Sequence, residues 1–258
     1  MSVAAERAIA WRHGYHAAVC SRIEPWAHGT VARAPDVPTY YDYNLARVEY
    51  GDPGLDAEAL AAAAEPALAD LDHRRIEVED EVAGARVAPG FAAMGWVVER
   101  LAFLHRELPA PATVGAHGAE LRVEAFEASR PLRMAWQGES IWGDPPGFVL
   151  IEEQVAARRG TRAAVGYLEG ESAGFAGFSA HGDTVEIETL FCLPERRNGG
   201  LGGALVARAL EEAHAHGARH ALIEADDTGD AKRLYERLGF RTVWVRHSFT
   251  RAPAGGRD

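Results

Sequence analysis

The stretch Leu193-Pro194-Glu195-Arg196-Arg197-Asn198-Gly199-Gly200-Leu201-Gly202-Gly203-Ala204-Leu205 decides how this chain is read. Four of the five residues from 199 to 203 are glycine. Before the turn, Val185, Ile187 and Thr189 alternate with Glu186 and Glu188, the period of a half-buried strand. After it, Leu201, Leu205, Val206, Ala209, Leu210 and Ala213 recur at helical spacing, with Arg208, Glu211 and Glu212 on the other side. A strand therefore enters a helix through a turn almost free of side chains. Glycine lets a backbone come close to a ligand. The first amides of a helix have no acceptor within the helix. Together they make an anion site suited to a pyrophosphate, with Arg197 adding positive charge at its rim. A purely structural turn does not need so many glycines.

Two familiar phosphate loops do not fit. A Walker loop needs Lys-Ser/Thr after its last glycine, and Ala204 follows Gly203 here. A dinucleotide loop needs Gly-x-Gly-x-x-Gly, and Gly200-Leu201-Gly202-Gly203-Ala204-Leu205 lacks the third glycine.

Working outward, Gly217 stops the helix, and His220 to Glu224 reads as a short strand. Asp230 to Leu238 reads as a second helix ended by Gly239, and Phe240 to Phe249 as a last strand. Upstream, Glu120 to Phe126, Arg162 to Leu168 and Ser172 to Ala180 read as strands. Turns at Gly170-Glu171 and His181-Gly182-Asp183 join the later ones, which implies antiparallel pairing. Residues 129–160 are helical or loop material broken by Asp144-Pro145-Pro146. The sum is an α+β domain with a mixed sheet.

Arg197-Asn198-Gly199-Gly200-Leu201-Gly202 resembles the pyrophosphate signature Gln/Arg-x-x-Gly-x-Gly/Ala of the GCN5-related N-acetyltransferase (GNAT) family. Ala231-Lys232-Arg233-Leu234-Tyr235-Glu236-Arg237-Leu238-Gly239-Phe240 is similar to that family's Ala-x-x-x-Tyr-x-x-x-Gly-Phe ending. Thr228 departs from the asparagine that many members carry. The resemblance covers roughly 117–252. It implies the acyl-CoA N-acyltransferase fold, with a central mixed, mostly antiparallel sheet flanked by helices. It also implies acetyl-CoA as acyl donor, no metal, and direct attack on the thioester by a primary amine of a small molecule, amino acid or peptide.

The resemblance assigns cofactor binding to Phe191, Cys192, Leu193, Arg197, Asn198, Gly199, Gly200, Leu201, Gly202 and Gly203, together with Tyr235. Backbone groups of Phe191 to Leu193 would pair with pantetheine in a parting between the fourth and fifth strands. An N–H near Cys192 would face the developing oxyanion. Tyr235 would serve the departing thiolate. An alkyl ammonium has a pKa of about 10.4, so a proton acceptor is useful. Glu186 is the first candidate and Glu188 the second. The alternatives are that both are solvated carboxylates, or that they attract a cationic acceptor. Cys192 has no histidine partner set by sequence and reads as a small buried hydrophobe. Trp136, Trp142 and Phe148 line an acceptor pocket or fill a small core.

The N-terminal part echoes this domain. Leu55 to Leu71 is an alanine-rich helix, and His73 to Asp80 resembles Arg219 to Asp226. Phe91 precedes Gly95-Trp96 as Tyr235 precedes Gly239-Phe240. We read a degenerate internal repeat without the glycine turn. The resemblance implies a tandem, with a worn copy at 1–112 in a structural or acceptor-site role and the catalytic copy at 117–252. The connector Leu108-Pro109-Ala110-Pro111-Ala112-Thr113 lies at the division. Tyr40, Tyr41, Tyr43 and Trp96 are expected in the packing of the first part.

Charge and composition limit the partners. With 27 Lys+Arg against 38 Asp+Glu the formal charge is -11, which disfavours nucleic acid and anionic lipid. Cys20 and Cys192 stand far apart without metal-ligand spacing, and neither a signal peptide nor a span is legible, so a cytoplasmic enzyme is expected. His214, His216 and His220 lack a closing fourth ligand and read as surface residues. Asp226-Asp227-Thr228-Gly229-Asp230 reads as a loop and helix cap. Monomer and homodimer stay equally open. The competing function is a non-catalytic CoA-binding sensor or interaction protein on the same scaffold.

Overall fold

A computed structural model describes residues 1–109, 118–138 and 145–253. In chain order its elements are α1 (Val3–Val19), β1 (Arg22–Trp26), β2 (Gly29–Arg33), β3 (Leu45–Val48), α2 (Ala57–Leu68), β4 (Arg74–Val78), α3 (Glu81–Ala93), β5 (Val97–Glu107), β6 (Glu120–Ala125), α4 (Arg130–Gly138), α5 (Pro145–Arg159), β7 (Arg162–Leu168), β8 (Glu171–His181), β9 (Thr184–Cys192), α6 (Leu201–Ala215), β10 (His220–Asp226), α7 (Asp230–Arg237) and β11 (Arg241–Arg251). Every strand and helix expected after residue 119 is present to within a few residues, and 129–160 resolves into α4 and α5. The connector from Ala110 to Thr113, and Trp142, lie outside the described residues.

The described residues form two compact units. Unit 1 takes Met1–Phe103, Ala225–Gly229 and the stretch from Thr242, and unit 2 takes Leu104–Glu224 and Asp230–Arg241. The units differ from a cut between 112 and 117 chiefly at the last strand. That strand groups with unit 1 because His247–Arg251 pairs antiparallel with Val78–Arg74.

In unit 1 the strands lie in the order β1-β2-β3-β4-β11-β5. Neighbours β3 and β4 are parallel, and β2–β3 and β4–β11 are antiparallel. Alternation divides their side chains between two faces. Ala46, Val48, Ile76, Val78 and Phe249 pack with Leu60, Leu68, Val87, Phe91 and Trp96 from the α2 and α3 side. The intervening residues Arg47, Arg75, Glu77, Ser248 and Thr250 are also buried, on the opposite face. There Arg12 and His16 of α1 meet them, Arg12 pairing with Glu77 and His16 Nδ1 lying 3.1 Å from Arg47 Nη1. The buried side of α1 is Ala5, Ala8, Arg12, His16 and Val19, so the helix lacks the apolar stripe that sequence periodicity would reveal.

In unit 2 the order is β10-β9-β8-β7-β6. The β6-to-β9 meander is antiparallel, as expected, and β9–β10 is parallel. One face receives α6. A Cβ on Gly166 would stand 2.8 Å from Leu201 Cδ1, so the missing side chain leaves room for the leucine tips of α6 over β7. The other face carries Phe126, Leu132, Ala156, Val165, Phe175 and Phe191, with Trp136 packed partly against them.

The repeat is visible in local geometry. The order β3-α2-β4-α3-β5 in the first half matches β9-α6-β10-α7-β11 in the second, and the first two strands of each set are parallel. Gly95 (φ 78) and Gly239 (φ 86) both take the left-handed conformation after a helix. The Trp96 amide donates to the Phe91 carbonyl and the Phe240 amide to the Tyr235 carbonyl, each at 3.1 Å.

Candidate functional site

The turn before α6 has the openness that its glycines imply. Gly200 is the N-cap at φ 83, Asn198 stands at φ 63, and no side chain caps the helix. The first helical bond runs from Ala204 N–H to Gly200 O at 3.1 Å, so the amides of Leu201, Gly202 and Gly203 precede any acceptor inside α6. A Cβ built on Gly199 or Gly200 meets nothing within 4 Å. On Gly202 it would touch Leu190, Leu234 and Cys192 at 3.5 to 3.8 Å, ordinary contact distances. Residues 195–200 are exposed. Arg197 Nε donates to the Cys192 carbonyl at 3.0 Å, and its guanidinium lies 5.6 Å above the Phe191 ring. Arg197 thus braces the strand end against the turn. α2, at the corresponding place in the first half, is closed by Asp56, whose carboxylate accepts from Ala59 N–H at 2.8 Å.

Pairing of the neighbouring strands stops short of this turn. Pairing between β9 and β10 runs from Thr184–His220 to Ile187–Ile223, while β9 continues to Cys192. On its other edge, Ile187 pairs with Phe178 but Thr189 pairs with Gly177. Glu188 is therefore the extra residue of a bulge, at the point where β9 also leaves β10. The Leu193 amide is committed to the Ala173 carbonyl at 3.0 Å.

Glu186 and Glu188 both reach Arg159, the last residue of α5. Arg159 Nη2 lies 2.6 Å from Glu186 Oε2 and 3.3 Å from Ser179 Oγ, and Nη1 lies 3.3 Å from Glu188 Oε2. Thr161 Oγ1 donates to the Glu188 carboxylate at 3.1 Å. Glu186 is only 5% exposed, so it is not a carboxylate on an open strand face. Arg159 and Thr161 were not expected from sequence. Twenty-seven residues separate each from its glutamate (Glu186 and Glu188 respectively), and no motif links them.

Tyr235 is buried on α7, edge-on to Phe240 with ring centroids 6.4 Å apart. Burial, with a smaller contribution from Cys192, pushes its phenol up to about 12. Burial also pushes the Cys192 thiol up to about 11, against a small opposing effect of Arg197. A thiol so raised is almost wholly protonated at neutral pH and is a poor nucleophile. Cys192→Ala is expected to keep turnover within about threefold of wild type. Rapid alkylation of Cys192 by iodoacetamide at pH 7.5, with loss of activity, would contradict that reading.

Nearby, Arg133 is fully buried and ties α4 to α5, donating to the Val149 carbonyl at 3.1 Å and to Glu152 at 3.3 Å. Burial lifts the Glu152 carboxyl to about 7 despite Arg133. Of the histidines considered for metal binding, His214 Nδ1 lies 2.9 Å from the Ala218 carbonyl and His216 Nδ1 2.8 Å from that of Glu212. His220 stacks on His105. No group of three or more His, Cys, Asp or Glu among the described residues could hold a metal. Asp226 Oδ1 accepts from the Thr228 amide at 2.8 Å, closing the expected turn.

The description "Acetyltransferase (GNAT) family" belongs to the family model that matches residues 120–240. Residues 120–240 are a GNAT acetyltransferase domain. Mycothiol acetyltransferase from Streptomyces griseus subsp. griseus is 33% identical over 105 residues, covering 39% of this chain and 29% of that protein. The chain thus spans less than a third of the curated relative it matches. A GCN5-related N-acetyltransferase from Kribbella flavida shares the fold with a TM-score of 0.65 at 21% identity, over 99% of this chain and 97% of that one. A functionally unknown conserved protein from Staphylococcus epidermidis gives 0.68 at 14%, over 91% and 95%. A tandem GNAT protein from the clavulanic acid biosynthesis pathway gives 0.54 at 19%, over 82% and 76%. The GNAT domain holds both sequence markers, the open turn and Tyr235. No helix among the described residues is long and apolar enough to cross a membrane.

Proposed function

We propose that this chain is an acetyl-CoA-dependent N-acetyltransferase. Its acceptor is a primary amine of a small molecule, amino acid or peptide. The observation that carries the reading is the uncapped start of α6 beside the place where β9 leaves β10. The acyl donor brings a thioester already activated toward amines. The amides of Leu201, Gly202 and Gly203 suit its pyrophosphate, and the open sides of Gly199 and Gly200 give the phosphates access. The backbone from Phe191 to Leu193 would lie along the pantetheine arm, with the Leu193 amide excepted because it is bonded to the Ala173 carbonyl.

In this reading Tyr235 donates a hydrogen bond to the departing sulfur. A thiol titrates near 8.5 and Tyr235 near 12, so the phenol stays protonated while the thiolate leaves. Tyr235→Phe is expected to lower kcat about 100-fold with little change in melting temperature. Unchanged turnover from pH 6 to 9 would remove Tyr235 from the reaction. Glu186 and Glu188 place two carboxylates where β9 parts from β10, a setting that would draw in an acceptor ammonium. Proton removal by Glu186, with Glu188 as second choice, requires Arg159 to yield.

The second reading is a CoA-binding protein without turnover, and the occupation of Glu186 by Arg159 favours it. A screen of acetyl-CoA consumption against amines, polyamines, aminoglycosides, amino acids and N-terminal peptides, with product masses, separates the two. An acetylated amine supports transfer, and tight binding with no product supports the sensor. Residues 1–112 act as the degenerate copy, supporting the site or its acceptor side, and the protein works in the cytoplasm.

A further inference from the structure

We propose that Arg159 is a positioning residue that pins the β9 bulge and so holds the acyl-donor strand in its binding register. The inference rests on the acetyl-CoA reading above. Two departures from regular pairing meet at one residue. Glu188 has no partner on β8, and pairing to β10 ends at Ile187. From Thr189 to Cys192 the strand is paired on its β8 edge alone, and at Glu188 that ladder too is interrupted, so the backbone fixes its course least at this residue.

The side chains supply what the backbone lacks. Glu188 is held by Arg159 Nη1 at 3.3 Å and Thr161 Oγ1 at 3.1 Å. Glu186, two residues earlier and still in register with Ser179, is held by Arg159 Nη2 at 2.6 Å. The same Nη2 lies 3.3 Å from Ser179 Oγ on β8. One guanidinium therefore spans the irregularity, with β8 and the regular stretch of β9 before the bulge on one arm and the bulge on the other. Arg159 ends α5, and Thr161, in the short link to β7, is tied back to that helix by its amide, which donates to the Ala156 carbonyl at 2.9 Å. The planar fork suits this task better than an ammonium. With Arg159 removed, both carboxylates lose the cation they share, and the bulge loses its tie to α5. That loss loosens the bulge from which the stretch Thr189 to Cys192 continues, the stretch whose free edge the proposed pantetheine arm would use.

The test measures acetyl-CoA affinity by calorimetry at pH 7.5 for wild type, Arg159→Ala, Arg159→Lys, Glu188→Gln and the Arg159→Ala/Glu188→Gln pair, each checked for folding by circular dichroism. Arg159→Ala is expected to weaken binding about tenfold, and Arg159→Lys to recover part of that loss. The double variant should bind no more weakly than the worse single variant, because both act through one contact. Folded Arg159→Ala binding within twofold of wild type overturns the proposal, and so do fully additive losses. Should Arg159→Ala fail to fold, Arg159→Lys and Glu188→Gln carry the same comparison, and wild-type affinity in both overturns it. Wild type that does not bind acetyl-CoA defeats the functional reading itself, and the inference falls with it.

Discussion

Gly202→Trp is expected to abolish acetyl-CoA binding, weakening it more than 100-fold, or about 2.8 kcal/mol. Gly202 lies in the first turn of α6, where three amides precede the first helical bond. A methyl group there would make only ordinary contacts with Leu190, Leu234 and Cys192. Gly202→Ala should therefore bind within about threefold of wild type. An indole is too large for that space and would intrude on the ground that the proposed donor occupies. The pair of variants separates ligand exclusion from damage to the helix. Calorimetric titration, with melting temperatures recorded, checks both. Folded Gly202→Trp with wild-type affinity would move the donor site away from this turn.

Glu77→Gln should have the largest effect on stability, a loss of about 3–5 kcal/mol. Glu77 is fully buried, paired with Arg12 and 2.7 Å from Arg246 Nη1, with Arg75 at 3.8 Å. Burial opposes its ionisation, but Arg12, Arg246 and Arg75 outweigh burial and hold its pKa below the usual carboxylate range. Removing that charge leaves several buried guanidinium groups facing one another. His16, beside them, is held well below its ordinary value by burial, then by Arg12, Arg47 and Arg246. As pH falls below about 6.5, the unfolded chain gains a proton on His16 that the folded chain refuses, so stability declines. Urea denaturation at pH 7.5 and 5.5 reads both effects. A Glu77→Gln loss under about 1 kcal/mol would show that the cluster is not held by this carboxylate.

What the sequence makes legible follows from where its physics is local. The meander β6 to β9 and the helix after Gly200 declare themselves by period and turn chemistry. The open turn and Tyr235 are legible because their residues are neighbours in the chain, which leaves motifs. α1 is not legible as a packing helix, because its buried side carries Arg12 and His16 where periodicity looks for apolar residues. The Arg159 clamp is silent for a different reason: it joins a helix end to a strand, and side chains that meet only after folding leave no spacing to read. The same holds for β11. Its apolar run announces a strand, but only pairing with β4 reveals the unit to which most of it belongs.

The worn copy is instructive on chemistry. Phe91 takes the place of Tyr235 in the same helix–glycine–aromatic geometry, so the fold signal survives without a hydroxyl. Asp56 caps α2 where α6 is left open, placing a carboxylate where a phosphate would need amides.

The most direct measurement is amide chemical-shift mapping of the isotope-labelled protein titrated with CoA. The account predicts the largest saturable shifts at Gly200, Leu201, Gly202 and Gly203, with smaller ones from Phe191 to Leu193. Saturable shifts confined to other residues, or none at millimolar CoA, would contradict it.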